Sequence, residues 1–303
     1  MKIGATYLYT IVTYGYPPSI EDDFRALKDI EQMGFHFLEM EALGQEHAEA
    51  LWARKAEFRS RLSDHGIHVH NFCAVDPQLV SLDPVTRGKA LERFKRTTEL
   101  GSYLGAETLH LASYAPPVEY ISGVPYALGQ EYAMPGKMTV HIPDGFHWNQ
   151  VWDALVDSCQ KAAEIAKTME RTVIMEPRVG ETICSVDSML RLLADVAMPN
   201  FQANFDTGHF SAQRENVPLA LMKLEGQFCN VHISDNNPAT AEHLPVGDGQ
   251  IDWMEFFSVL KRMDYQGYLG IDLSASGTLR EDMIRSARYI QDIGRMLDLN
   301  ILL

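Results

Sequence analysis

The sequence predicts an α/β fold and, within that class, a closed (β/α)8 barrel with a long insertion after the fourth strand. Three observations carry this. Short apolar runs of strand length alternate with longer segments of helical periodicity along nearly the whole 303-residue chain. Eight runs and eight helical segments can be counted, with glycines marking many of the connections. No glycine-rich fingerprint follows the first run, which argues against an open dinucleotide-binding sheet.

The elements follow in order. Ile3 to Leu8 reads as a strand. A helix is expected from Ser19 or Ile20 to Met33, because Ser19 is an N-cap residue, Asp22 stands three positions on and Gly34 ends the pattern. Phe35 to Met40 is a strand, Glu46 to His65 a helix closed by Gly66, and Ile67 to Cys73 a strand. Asp83 to Leu104 is a helix with Pro84 in its first turn and Gly105 after it, and Thr108 to Ala112 is the fourth strand. Trp148 to Met169 is helical, since Val151, Leu155, Cys159, Ala162 and Ile165 share one face. The second half repeats the rhythm. Strands are expected at Thr172 to Met175, Phe201 to Phe205, Phe228 to Ile233 and Tyr268 to Leu273. Helices are expected at Ser185 to Ala194, Pro218 to Lys223, Trp253 to Met263 and Arg280 to Leu297. The length and the unbroken alternation predict one domain over residues 1–303.

Residues 113–147 break the rhythm. They hold Pro116, Pro117, Pro125, Pro135 and Pro143, the aromatics Tyr114, Tyr120, Tyr126, Tyr132 and Phe146, and two histidines, His141 and His147. Structureless loops of this length inside compact domains are uncommon and tend to be functional. In a barrel the segment would lie over the C-terminal face, where active sites form; a surface hairpin or an oligomer contact is the alternative.

Lys and Arg total 26 against 41 Asp and Glu, a formal charge of −15. Such a surface repels phosphate backbones and anionic membranes, so neither nucleic acid nor membrane is expected as a partner. Cys73, Cys159, Cys184 and Cys229 form no Cys-x-x-Cys pair, which signals neither a thiolate zinc site nor a disulfide framework. The chain opens directly on a strand and has no apolar stretch of membrane-spanning length, so the cytoplasm is the expected compartment.

Four polar residues stand near the C-terminal ends of the last four apolar runs: Glu176, Asp206, His232 and Asp272. Neighbouring strands of a barrel bring their ends together, so these four would converge. Asp206 alone could cap a helix, and His232 alone could be a hydrogen-bonded core histidine. Carboxylates gathered at a buried mouth are costly unless compensated, and a cation removes that cost. Oxygen ligands with one imidazole favour Mn²⁺, Mg²⁺ or Co²⁺ over a structural zinc, although a catalytic Zn²⁺ would also be held.

The segments Met175-Glu176-Pro177-Arg178, Phe205-Asp206-Thr207-Gly208-His209, Val231-His232-Ile233-Ser234-Asp235-Asn236 and His243 to Trp253 resemble the xylose isomerase-like TIM-barrel superfamily. That group holds sugar isomerases, ketose 3-epimerases, inosose dehydratases, apurinic endonucleases and the catalytic subunits of C-glycoside deglycosidases. The resemblance implies Glu176, Asp206 and His232 as ligands of one divalent metal, with Asp272 standing where the family usually has Glu. It implies His209 and Arg178 as substrate contacts, with His70 and His110 as pocket or core residues. It also implies proton abstraction beside a carbonyl of a small carbohydrate or glycoside, with Glu176 in the acid–base chemistry.

Ketose 3-epimerases of the group use two Glu residues as the acid–base pair, and Asp272 is one methylene shorter. The insertion would then supply a base: His141, or His147, which abuts the next helix. This resembles the deglycosidase catalytic subunits and makes a lyase acting on 3-oxo-glycosides the first expectation, with a small partner subunit. The alternative is a ketose or inosose isomerase, epimerase or dehydratase, more often a homo-oligomer. The nucleases of the group carry Asp where this chain has Ala241, which weighs against a three-zinc DNA enzyme.

Overall fold

The computed structural model describes residues 1–123, 138–237, 241–274 and 277–303. Eight parallel strands close into a barrel, and their order around it follows the chain. They are β1 (Lys2–Ala5), β2 (Phe37–Leu43), β3 (His68–Val75), β4 (Thr108–Ala112), β7 (Thr172–Glu176), β8 (Phe201–Asp206), β9 (Phe228–Ile233) and β10 (Tyr268–Ile271). Closure comes from β1, which pairs with β10 from Lys2↔Tyr268 to Ala5↔Ile271 and with β2 at Ala5↔Leu38. Two further strands, β5 (Glu119–Ser122) and β6 (Thr139–His141), form a separate antiparallel pair. The surface hairpin expected as one alternative for residues 113–147 is therefore present. Tyr126 and Tyr132 lie outside the described residues.

The expected helix at Ile20–Met33 forms with a full capping box between Ser19 and Asp22, and Gly34 ends it in the left-handed region. It buries Phe24, Leu27, Ile30 and Met33 against the barrel wall. Trp148–Lys167 and Leu279–Met296 behave likewise. Two segments differ most from expectation. The first strand ends at Ala5, and Leu8–Tyr14 is a helix with Leu8, Tyr9 and Thr10 buried. The helix expected from Glu46 to His65 is two, Gly44–Ala53 and Lys55–Asp64, separated at Arg54. Among the described residues, no helix is long and apolar enough to cross a membrane.

Two features around the C-terminal mouth set the site. The β2–β3 ladder has a register shift: Leu38 pairs with Val69 but Glu39 with Asn71, so His70 is the extra residue of a bulge. Above β9, Asp235 organises the following loop. Its carboxylate accepts from the backbone N–H of Gly247 at 3.0 Å and of Ile251 at 3.2 Å, and from the indole N–H of Trp253 at 2.7 Å. Gly249 passes so close to Asp235 and Asn236 that a Cβ there would collide with both.

Candidate metal centre

The strand ends deliver the polar groups to one place. Glu176 and Asp206 are the last residues of β7 and β8, His232 is the penultimate residue of β9, and Asp272 follows β10. His232 sits at the centre. Its Nδ1 is 2.7 Å from Glu176 Oε1 and 3.6 Å from Asp206 Oδ2, and its Nε2 is 2.9 Å from Glu39 Oε2. Burial works against an imidazolium there, but the carboxylates of Glu39 and Glu176 outweigh it and hold the His232 pKa well above its ordinary value. In the metal-free chain, a protonated imidazole thus occupies the centre of a ring of carboxylates.

Glu176 is buried and fully engaged. Its Oε2 accepts from Arg178 Nε at 2.6 Å and its Oε1 from Asn204 Nδ2 at 2.8 Å, while His110 Nε2 stands 3.7 Å from Oε2. Burial would raise its pKa, but Arg178 first, then His110 and His232, hold it well below the usual carboxylate range. Asp206 has two tasks. Its Oδ1 accepts from the His209 backbone N–H at 2.8 Å and so caps the short helix Thr207–Ala212. Its Oδ2 is buried with no hydrogen-bond partner among the described residues. A buried carboxylate oxygen that lacks a hydrogen bond and faces an imidazole and a second carboxylate is the geometry that a cation would satisfy.

The ligand atoms of Glu176, Asp206 and His232 lie within 4.8 Å of one another, and so do those of Asp206, His243 and Asp272. The four expected residues therefore converge as two overlapping groups that share Asp206. Asp272 is held to one side: its Oδ1 accepts from Thr6 Oγ1 at 2.6 Å and its Oδ2 is 3.0 Å from His243 Nδ1. Burial lowers the His243 pKa, but the Asp272 carboxylate overrides this and raises it to about 9. Three carboxylates and one imidazole fit a hard divalent cation. Cys73 also lines the cavity, and burial pushes its thiol well above the ordinary value.

A cavity of about 580 Å³ opens above this floor, within the usual range for small-molecule sites. Glu39, Glu41, His110, Glu176, Arg178, His209, His232 and Asp272 make its polar base. Its outer wall is apolar, with Leu8, Ile11 and Val12 from the first helix facing Pro116, Pro117 and Val118 from the insertion. Burial takes the His209 pKa down to about 4, against the pull of Asp206, so its ring is neutral at pH 7. Burial pushes the Glu41 carboxyl up to about 8, against Arg178.

A family model described as xylose isomerase-like TIM barrel matches residues 27–293. The chain belongs to the xylose isomerase-like TIM-barrel family. It is 23% identical over 257 residues to L-ribulose-5-phosphate 3-epimerase UlaE of Shigella flexneri serotype 5b (strain 8401), covering 82% of this chain and 81% of that one. It is 24% identical over 186 residues to an inosose dehydratase of Clostridium botulinum (strain Eklund 17B / Type B), covering 54% and 62%. Among solved structures it resembles the 3-keto-D-glucoside 4-epimerase YcjR from E. coli in its apo form. There the TM-score is 0.73 at 18% identity, over 96% of this chain and 99% of that one.

Within this family frame, one expected site residue falls elsewhere, and another takes the core alternative instead of the pocket. His141 is exposed at the end of β6, in register with Glu119 and outside the cavity lining. His70 lies in the barrel interior, stacked on Tyr268 with ring centroids 4.2 Å apart, and does not line the cavity. The β3 bulge is the cause, because without it His70 rather than Asn71 would pair with Glu39. Three residues that reasoning from sequence left out of the site belong to it: Glu39, Glu41 and His243. The available signal for the first two was a pair of acidic residues at alternate positions of Phe37-Leu38-Glu39-Met40-Glu41-Ala42-Leu43.

Proposed function

We propose that this chain is a divalent-metal-dependent enzyme of keto-sugars that abstracts a proton from the carbon beside the carbonyl, with isomerisation or epimerisation as the outcome. The carrying observation is the buried Glu176–Asp206–His232 group, of which Glu176 and His232 line a ligand-sized cavity and Asp206 lies buried against them. Two of the relatives' names point the same way, a ketose-phosphate epimerase and an epimerase of a keto-glucoside, while a third is a dehydratase of an inosose. They favour this reading over the 3-oxo-glycoside lyase that the sequence put first.

Glu176, Asp206 and His232 would hold the cation, with Asp272 adjoining through Asp206; Mn²⁺ is the ion that we assign. When bound, it would polarise a substrate carbonyl. Glu176, kept ionised by Arg178 and the two imidazoles, is the group that we assign to accept the α-proton. Arg178 and His110 line the same floor and can donate hydrogen bonds to sugar oxygens. Glu41, whose carboxyl burial pushes up to about 8, is the group that we assign to the return protonation. Asp272, tied to Thr6 and His243, is a poor candidate for that step. The apolar outer wall limits water around the reacting carbon.

The test is solvent exchange. Purified protein with Mn²⁺ in D2O should introduce deuterium at the α-carbon of a ketose and yield its epimer or aldose isomer, seen by NMR. Glu176→Gln should slow this by at least ~10²-fold. No exchange with any ketose or inosose would refute the reading. One observation favours the lyase as a second reading: the apolar wall of Leu8, Ile11, Val12, Pro116, Pro117 and Val118 would suit an aglycone. Release of free aglycone from a 3-oxo-glycoside would decide for it.

A further inference from the structure

Glu39 is reached by none of the substrate chemistry above, yet it is buried at 4% exposure in the middle of the barrel. It comes from β2, three strands round the barrel from β9. Its Oε2 meets His232 Nε2 at 2.9 Å, while the other ring nitrogen of His232 faces Glu176 and Asp206. The same oxygen of Glu39 accepts from Asn71 Nδ2, and His110 Nδ1 stands 3.5 Å away. Asn71 is fixed in turn, because its Oδ1 accepts from Thr108 Oγ1 at 2.7 Å and Asn71 pairs with Thr108 across the β3–β4 ladder. A continuous line of hydrogen bonds therefore runs Thr108–Asn71–Glu39–His232, built on the register shift that brings Asn71 opposite Glu39.

A neutral imidazole has one N–H and one lone pair. A carboxylate at Nε2 can only accept, so it selects the tautomer with hydrogen on Nε2 and the lone pair on Nδ1, the nitrogen that faces Glu176 and Asp206. We propose that Glu39 is a positioning residue that holds His232 in the Nε2–H tautomer and in this ring orientation, so that Nδ1 is the donor to a cation shared with Glu176 and Asp206. This rests on the metal reading above. Glu39 could instead ligate a second cation with His110 and His232, whose atoms lie close enough. The Asn71 amide argues against it, since its hydrogens already point at the oxygen that such a cation would need.

The experiment measures Mn²⁺ affinity and stoichiometry by chelator competition, and the Co²⁺ absorption spectrum, for wild type, Glu39→Ala and Glu39→Gln. Wild type should bind one ion per chain at this site. Glu39→Ala should weaken binding by about 10–100-fold, the usual effect of losing such an outer carboxylate, and alter the Co²⁺ bands. Glu39→Gln keeps an acceptor for Nε2–H and should recover most of the affinity. Should Glu39→Ala fail to fold, ¹⁵N-histidine NMR of Zn²⁺-loaded wild type reads the tautomer directly, with the proton expected on His232 Nε2. Equal affinity in all three proteins, equal losses for Ala and Gln, a second ion lost with Glu39, or the proton on Nδ1 would each overturn the proposal. A wild type that binds no ion would instead overturn the metal reading beneath it.

Discussion

Asp206→Asn separates metal binding from folding more cleanly than any other single change. The carboxylate oxygen that caps Thr207–Ala212 is Oδ1, and Asn caps helices as well as Asp does, so the helix keeps its cap. The oxygen that changes is Oδ2, which has no hydrogen-bond partner among the described residues. Without metal, the variant loses a buried carboxylate that repels Glu176 but attracts the His232 imidazolium 3.6 Å away; with these effects opposed and the cap conserved it should melt within about 1–2 °C of wild type. With metal the two should part. An ion at 100 times its Kd stabilises the folded chain by about 2.7 kcal/mol. For 303 residues, at roughly 2.1 cal/mol/K of unfolding entropy per residue, that is about a 4 °C rise in Tm. Wild type should show this rise on adding Mn²⁺ after chelation, and Asp206→Asn should show less than about 1 °C at the same concentration. Differential scanning calorimetry reads both. A variant that kept the full shift, or one destabilised by several degrees in chelator, would refute the reasoning.

Three further outcomes follow from particular contacts. His232 is protonated in the metal-free chain because Glu39 and Glu176 outweigh burial, so an entering cation must expel that proton. Apparent Mn²⁺ affinity should therefore rise by up to about tenfold per pH unit from pH 6 until the His232 pKa is passed; titration calorimetry in two buffers of different ionisation enthalpy should show about one proton released, and a pH-independent affinity would contradict this. His141→Ala should leave turnover within about twofold of wild type, since the ring is exposed outside the cavity; a loss beyond ~10²-fold would restore it as a base. Trp253→Phe removes the indole donor to Asp235 and should cost about 1.5–3 kcal/mol of stability by denaturant unfolding, with Mn²⁺ affinity unchanged.

Much of the fold was legible because the local signals agree with the tertiary ones. Thr108–Ala112 and Phe228–Ile233 are apolar runs covered by helices outside and filled inside, and the helix at Ile20–Met33 carries both its start and stop signals. Leu8–Tyr14 was not legible. Its Thr, Ile, Val and Tyr residues have strand propensity, but the segment packs as a helix over the barrel mouth and lends Leu8, Ile11 and Val12 to the cavity wall. The same divide runs through the site. Glu176, Asp206 and His232 each stand at the end of an apolar run, where a polar residue is conspicuous. Glu39 and Glu41 sit in an alternating run, which reads as a strand with its charged face in water. In this barrel the alternation is inverted: Leu38, Met40 and Ala42 are buried in the hydrophobic core, and the acidic residues face the interior. His70 takes the core place rather than the pocket one, and the sequence leaves the two open because a one-residue bulge cannot be seen in a period of two.

The central claim is a cation held jointly by β7, β8 and β9. Diffraction from crystals soaked in Mn²⁺, recorded on both sides of the manganese absorption edge, locates that ion without reference to activity. One anomalous peak within bonding distance of Glu176, Asp206 and His232 Nδ1 is the expected result; a map with no peak there, or with the manganese bound only at surface carboxylates, would contradict it.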